Sequence, residues 1–251
     1  MIRTIAAREF NSLFLSPFGW ILLAVIQAIL AYLFMAQIDI YLTTIQPKSA
    51  GVGEIPGATD LIVAPLYGNA GVIMLLLTPF VTMRAISAER NSRTLPLLIT
   101  APLDVHEIVL GKFFGLFAFD LLVVAMISLM PLGLEFATDL DLGKLAACNL
   151  AIILLTASFS AVGLYISSLA DQPSSAAAAT FGILLLMWIL DWSTAATGLS
   201  DGVFQYLSIL GHFNRLRSGL ISTVDLIYYF LIILVFLGMT IRHLDQERMS
   251  G

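Results

Sequence analysis

An all-α integral membrane protein with six transmembrane helices is the fold class this sequence predicts, and three observations predict it. Hydrophobic residues make up 59% of the 251 and charged residues only 12%, roughly half the charged share of an ordinary soluble domain. Mean hydropathy is +0.95, which on a water-soluble globule would expose apolar patches larger than monomers tolerate. Uncharged runs recur at close to the roughly 20 residues that a helix needs to cross about 30 Å of hydrocarbon.

The elements follow in chain order. Ile2, Ile5, Ala6, Phe10, Leu13 and Phe14 recur at helical spacing with Arg3, Arg8, Glu9 and Asn11 between them, the pattern of an amphipathic helix lying in the membrane interface. The first span, 18–36, follows Arg3 and Arg8 but is long enough to cross and has no small-residue cleavage site, so it reads as an uncleaved span. Further spans are expected at 61–83, 113–134, 145–170, 174–190 and 226–241, the last a short one that borrows Tyr and Arg anchors at its ends. Together they make a single transmembrane domain over 1–251. Between them, 37–60 is an irregular loop holding Pro47 and Pro56, 134–144 a short acidic turn and Asp171-Gln172-Pro173 a tight turn. Residues 191–225 are half apolar and predict short helices that dip back toward the membrane.

Six crossings put both termini on one side, and the basic residues say which. With the termini inside, Arg3, Arg8, Arg84, Arg90, Arg93, Lys112, Arg242 and Arg248 face the cytoplasm, and Lys48, Lys144, Arg215 and Arg217 face outward. Eight against four follows the positive-inside bias. A multi-pass protein of the bacterial inner membrane, with cytoplasmic termini, is the expected placement.

Several chemistries are excluded or left without a site. No basic tract suits nucleic acid. Cys148 is the single cysteine and sits in an apolar run, so no disulfide can form within the chain. His106, His212 and His243 lie in three separate places with no second ligand at helical spacing, and no nucleophile turn is recognisable. The phosphate-binding pattern G-x-x-x-x-G-K-S/T does not occur, since Gly111-Lys112 runs on into Phe113 without the upstream glycine. Any ATP chemistry therefore needs another chain. Asp120, inside the third span, is an intramembrane acid and so a candidate functional site; it also lies only eight residues beyond Lys112, near enough to the interface to be hydrated there. Asn69, Thr78, Asn149, Thr156 and Ser160 are the small polar residues available to line a path.

The most informative segment is the internal loop from Arg84 to Asp104. Its charges fall in the first half and its apolar residues in the second, so it can meet water and a partner groove at once. Pro96 and Ala101-Pro102 limit it to a short helix or two. The plainer reading is a basic connecting loop kept inside by its charge.

Within and around this loop, Thr78-Pro79-Phe80-Val81-Thr82-Met83-Arg84, Ala88-Glu89-Arg90, Thr94-Leu95, Leu97-Leu98, Thr100-Ala101-Pro102 and Ile108-Val109-Leu110-Gly111-Lys112 resemble the type-2 ATP-binding-cassette (ABC) exporter permeases. Arg8-Glu9-Phe10, Leu15-Ser16-Pro17, Leu207-Ser208, His212-Phe213, Gly219-Leu220-Ile221, Asp225-Leu226 and Tyr229-Phe230 resemble the gliding-motility-type branch of that family. The resemblance implies one permease half that pairs with a second permease, a copy of itself or a close relative. It implies cytoplasmic ATPase subunits that bind the ATP and magnesium, this chain holding no cofactor and being no enzyme. It makes the loop a coupling helix, with Arg84, Glu89, Arg90, Arg93, Thr94, Leu95, Leu97 and Leu98 as the ATPase-coupling residues. Glu89 is expected to pair with a basic residue of the partner or with Arg90 or Arg93. Family members carry Gly where this chain has Arg93 and Glu where it has Pro96, so the local shape of the coupling helix is where this chain departs from the pattern. Two other readings stay open: a mechanical transmitter acting on an extracytoplasmic accessory protein with no solute crossing, and a secondary transporter built around Asp120.

Overall fold

In the computed structural model, residues 1–15, 17–45, 57–94, 104–135, 138, 140–197 and 208–250 are described. Among them the chain is helical throughout. Helix α1 (Ile2–Leu15) precedes α2 (Pro17–Ile40), which continues into a π-turn at Tyr41–Ile45. After a second π-turn at Thr59–Val63 come α3 (Ala64–Thr82) and the short α4 (Ser87–Asn91). Helices α5 (Val105–Leu134), α6 (Leu142–Leu169) and α7 (Pro173–Thr197) follow, then the short α8 (Ile209–Arg217) and the final α9 (Thr223–Ser250).

Among the described residues, five stretches are long and apolar enough to cross a membrane: Pro17–Thr43, Thr59–Asn91, Val105–Leu134, Leu142–Leu169 and Thr223–Met249. Helix α7 adds a shorter apolar stretch, Pro173–Ile189. This is an all-α integral membrane protein. The helices outrun the expected spans, most of all where α5 begins at Val105 rather than 113 and α9 reaches Ser250 rather than 241. Hydropathy marks only the part of a helix in hydrocarbon, whereas backbone hydrogen bonding carries the helix on past the lipid through its charged ends.

Helix α6 is the centre of the bundle. Its most apolar window is 78% buried, against 28% for α2 and for α9 at the periphery. Small residues explain how neighbours come so close: a Cβ on Gly163 would stand 2.7 Å from the Cβ of Thr82 on α3, the small-residue contact by which membrane helices pack without a hydrophobic driving force.

Helix α1 is a separate element laid against α5, not an extension of α2. Two glycines one helical turn apart, Gly111 and Gly115, make the seat. A Cβ at the first would stand 2.7 Å from Ile5, and at the second 2.6 Å from Glu9. Phe14 of α1 meets Phe119 with ring centroids 5.8 Å apart, and the exposed Trp20 donates its indole N–H to the Phe14 carbonyl at 3.1 Å.

Ion pairs fix which helix ends lie together. Glu9, Glu89, Arg90, Lys112, Asp171 and Glu247 meet at one end, which therefore holds both terminal helices. At the opposite end Lys144 pairs with Asp60, Arg217 donates to the Ala64 carbonyl at 3.1 Å, and Asp141 caps α6 by accepting from the Lys144 amide at 3.1 Å.

Candidate functional site

The site is built on α4, a single turn too short to hold its own shape. Its N-terminus is fixed by α6, because the Ser167 hydroxyl accepts from the Ile86 and Ser87 amides at 3.0 and 3.1 Å and donates to the Met83 carbonyl at 3.2 Å. Orphan amides at a helix start are thereby satisfied from a neighbouring helix instead of from a local cap.

Its C-terminus closes in a Schellman turn. The Thr94 amide donates to the Glu89 carbonyl at 2.9 Å and the Arg93 amide to the Arg90 carbonyl at 3.0 Å. That geometry forces Arg93 to φ 57°, the left-handed region where glycine is usual, and it is the one non-glycine residue there among those described. The departure noted in the sequence, Arg in place of Gly, thus falls on the residue that needs glycine's freedom. The shape is kept.

Between these ends lies a buried cation. Lys112 on α5 is 3% exposed. Its ammonium donates to Glu89 at 2.9 Å, to Glu9 of α1 at 3.3 Å and to the Ala85 carbonyl at 2.5 Å, which employs all three of its protons. Lys112 lies at the end that holds the termini, with which charge counting grouped it, and its ammonium is buried there because two carboxylates and a carbonyl replace its water. Burial pushes the Glu9 carboxyl above its usual value of 4.5, with Lys112 pulling the other way.

Arg90 completes the clamp from the other side. It bonds Glu247 near the end of α9 at 2.5 Å and stands 3.6 Å from Asp171 in the α6–α7 turn. Helix α4 is therefore held by α5, α6, the α6–α7 turn and α9 together, with α1 joined to it through Lys112.

At the opposite end α8 is held quite differently. Ser208 caps it by accepting from the Gly211 amide at 3.0 Å, and Gly219, at φ 91°, closes its Schellman turn. Asp225 at the start of α9 accepts from Arg215 at 2.8 and 3.1 Å and lies 2.5 Å from His212 Nδ1. The Tyr228 ring stacks on His212 at 3.9 Å, and the Tyr229 hydroxyl donates to the Ile209 carbonyl at 3.0 Å.

The residues singled out from sequence divide accordingly. Glu89 and Arg90 sit in the clamp, Glu89 pairing with Lys112 rather than with a neighbouring arginine. Arg93 and Thr94 are exposed on the turn that follows. Arg84 is exposed with its guanidinium 5.4 Å from the Phe18 ring centre. Leu95, Leu97 and Leu98, with Pro96, lie outside the described residues. Asp120 is not hydrated at an interface: it is 3% exposed and accepts from the Ser160 hydroxyl at 2.6 Å. Of the other polar residues expected to line a path, Thr78, Thr156 and Ser160 are buried, whereas Asn69 and Asn149 are half-buried, the latter accepting from Tyr67 at 2.7 Å.

Sequence reasoning missed Glu9, Lys112, Ser167, Asp171 and Glu247 as partners of the loop. One signal was available: Gly111 and Gly115 mark a helix-docking seat, and a lysine between them in an otherwise apolar stretch needs an acid from whatever docks there.

Known proteins give the geometry a context. The model of a family described as ABC-2 family transporter protein matches residues 3–249. The probable ABC transporter permease protein NosY of Pseudomonas aeruginosa is 31% identical over 153 residues, 57% of this chain and 54% of that protein. The match thus spans about half the length of this curated relative.

Proposed function

Because the chain belongs to the ABC-2 family of transporter proteins, we propose that it is the transmembrane permease subunit of an ABC transporter, with α4 and the residues after it as the surface on which a separate ATPase subunit docks. One observation carries this reading: a five-residue helix at the terminal end is bonded to four other parts of the fold, and through Lys112 to α1 as well. A mere connector needs no such restraint. A surface that must pass a partner's movement into membrane helices does, because force reaches a helix only through contacts that persist while the partner moves.

In this reading the terminal end is cytoplasmic and the inner membrane is crossed six times, α7 supplying the sixth passage. Its 17-residue apolar stretch is at the short limit for a span. ATP and magnesium belong to the ATPase, and a second permease, identical or closely related, completes the pathway. Membership of the gliding-motility-type branch rests on the motif likeness alone. A second reading, motion passed to an extracytoplasmic partner with no solute crossing, is favoured by the burial of Thr78, Thr156 and Ser160 within the single chain.

The test is co-purification of this chain with a co-expressed candidate ABC ATPase subunit. Arg93→Glu reverses an exposed charge without touching the clamp, and Leu97→Asp spoils the apolar half of the loop; both should reduce the bound ATPase at least fivefold, or about 1 kcal/mol. Thr138→Lys, in the turn after α5, should leave it unchanged. Equal recovery for all three reduces the loop to a connector.

A further inference from the structure

Beside the Lys112 cluster a cavity of about 280 Å³ opens at the terminal end. Its charged walls divide into two sets. Glu9 and Glu89 both receive protons from Lys112. Arg8 and Arg84 also line the cavity, are exposed, and make no ion pair with a carboxylate among the described residues. Three cations against two carboxylates leave the walls with one net positive charge.

The remaining walls are of another kind. Phe18 stands in the first turn of α2 and Phe80 in the last turn of α3, with Leu13 and Val81 nearby. Those two positions are where apolar spans give way to polar chain, and Phe80 is 46% exposed on the outer surface of the bundle. Arg84 is poised over Phe18, so its charge is held at the boundary between headgroup and hydrocarbon. A guanidinium at that depth favours a phosphate, to which it can present two parallel donors.

We propose that this cavity binds the phosphate headgroup of an anionic phospholipid, with Arg8 and Arg84 on the phosphate and the acyl chains running past Phe18 and Phe80. The lipid would thus join α1 to the start of the loop that carries α4. A soluble phosphate shares the headgroup chemistry but makes no use of the apolar walls.

The full-length protein in detergent is titrated with phosphatidylglycerol, with phosphatidylcholine and with inorganic phosphate, and bound lipid is read by native mass spectrometry. Phosphatidylglycerol should be retained in preference to phosphatidylcholine. Arg8→Gln and Arg84→Gln should each weaken it about fivefold, the worth of one basic residue near a charged membrane surface. Arg242→Gln, exposed at the same end but outside the cavity, should leave it unchanged. Variants are matched to wild type by melting temperature in lipid-free detergent; where Arg84→Gln melts early, Arg84→Lys takes its place, with an affinity between the two. Equal retention of both lipids overturns the proposal. So does competition by inorganic phosphate at equal concentration, or an equal loss in Arg242→Gln, which would make the attraction a general one of the basic surface.

Discussion

Each end of the bundle carries one short helix closed by a Schellman turn, and the two are held in opposite ways. Helix α8 takes its cap, its ion pair and its ring contacts from its own neighbourhood, Ser208, Asp225, Tyr228 and Tyr229, and reaches further only at its last residue, where Arg217 donates to the Ala64 carbonyl and its own carbonyl accepts from Cys148. Helix α4 takes its ion pairs from Lys112, Asp171 and Glu247 and its N-terminal cap from Ser167, all on other elements, and Glu9 joins it through Lys112. An ion pair closed within one stretch of chain ties α8 to the start of α9, whereas an element whose ion pairs reach three others moves when they move, which suits the terminal end to transmission.

The largest expected effect separates the two directly. Lys112→Met leaves two carboxylates facing each other with no cation, and breaking a buried pair in this way costs about 3–5 kcal/mol. Asp225→Asn removes a charge whose partner Arg215 is half exposed and should cost less, about 1–3 kcal/mol. Thermal unfolding in a fixed lipid mixture measures both. Adding Glu9→Gln and Glu89→Gln to Lys112→Met should restore at least half of its loss, since the repulsion goes with the charges. Equal costs at the two ends would break the contrast between them.

A smaller effect tests the turns themselves. Arg93→Gly should stabilise its turn by about 1 kcal/mol, the penalty a side chain meets in the left-handed region, and Gly219→Ala should destabilise its own by a similar amount. Hydrogen exchange of the closing amides, Thr94 and Leu220, is the readout: about fivefold slower at the first and fivefold faster at the second.

The smallest effect is a pH slope. A Glu9 carboxyl raised above 4.5 in the fold binds its proton more tightly folded than unfolded. Its contribution is fully present below the unfolded value and is lost as pH rises through the folded one. Glu9→Gln, which cannot titrate, should flatten melting temperature against pH from 4.5 upward, whereas Arg215→Gln should leave that part of the profile as it is.

What sequence made legible follows the range of the interactions. Hydropathy located the helices, because lipid acts on each stretch of chain by itself; the N-terminal helix and the short elements in 84–94 and 191–225 were legible from local pattern in the same way. The clamp was not. Glu9 and Lys112 lie 103 residues apart, so nothing in the neighbourhood of either names the other. The burial of Thr78, Thr156 and Ser160 was hidden for a related reason. Polar groups in a low-dielectric bundle bond to whatever lies closest, and sequence cannot rank a neighbouring helix against a lumen.

The bond between Arg90 and Glu247 spans 157 residues, and that separation becomes a delay while the chain is being made. At about 5–20 residues per second, Glu247 is synthesised roughly 8–30 s after Arg90. Lys112 follows Glu89 by only 23 residues, so that contact is available within about 1–5 s. Until Glu247 is made, then, Arg90 has only its longer contact, to Asp171. A nascent or truncated permease lacking the end of α9 would present the loop half-fastened, and a partner that reads the finished clamp would engage only chains whose translation is complete.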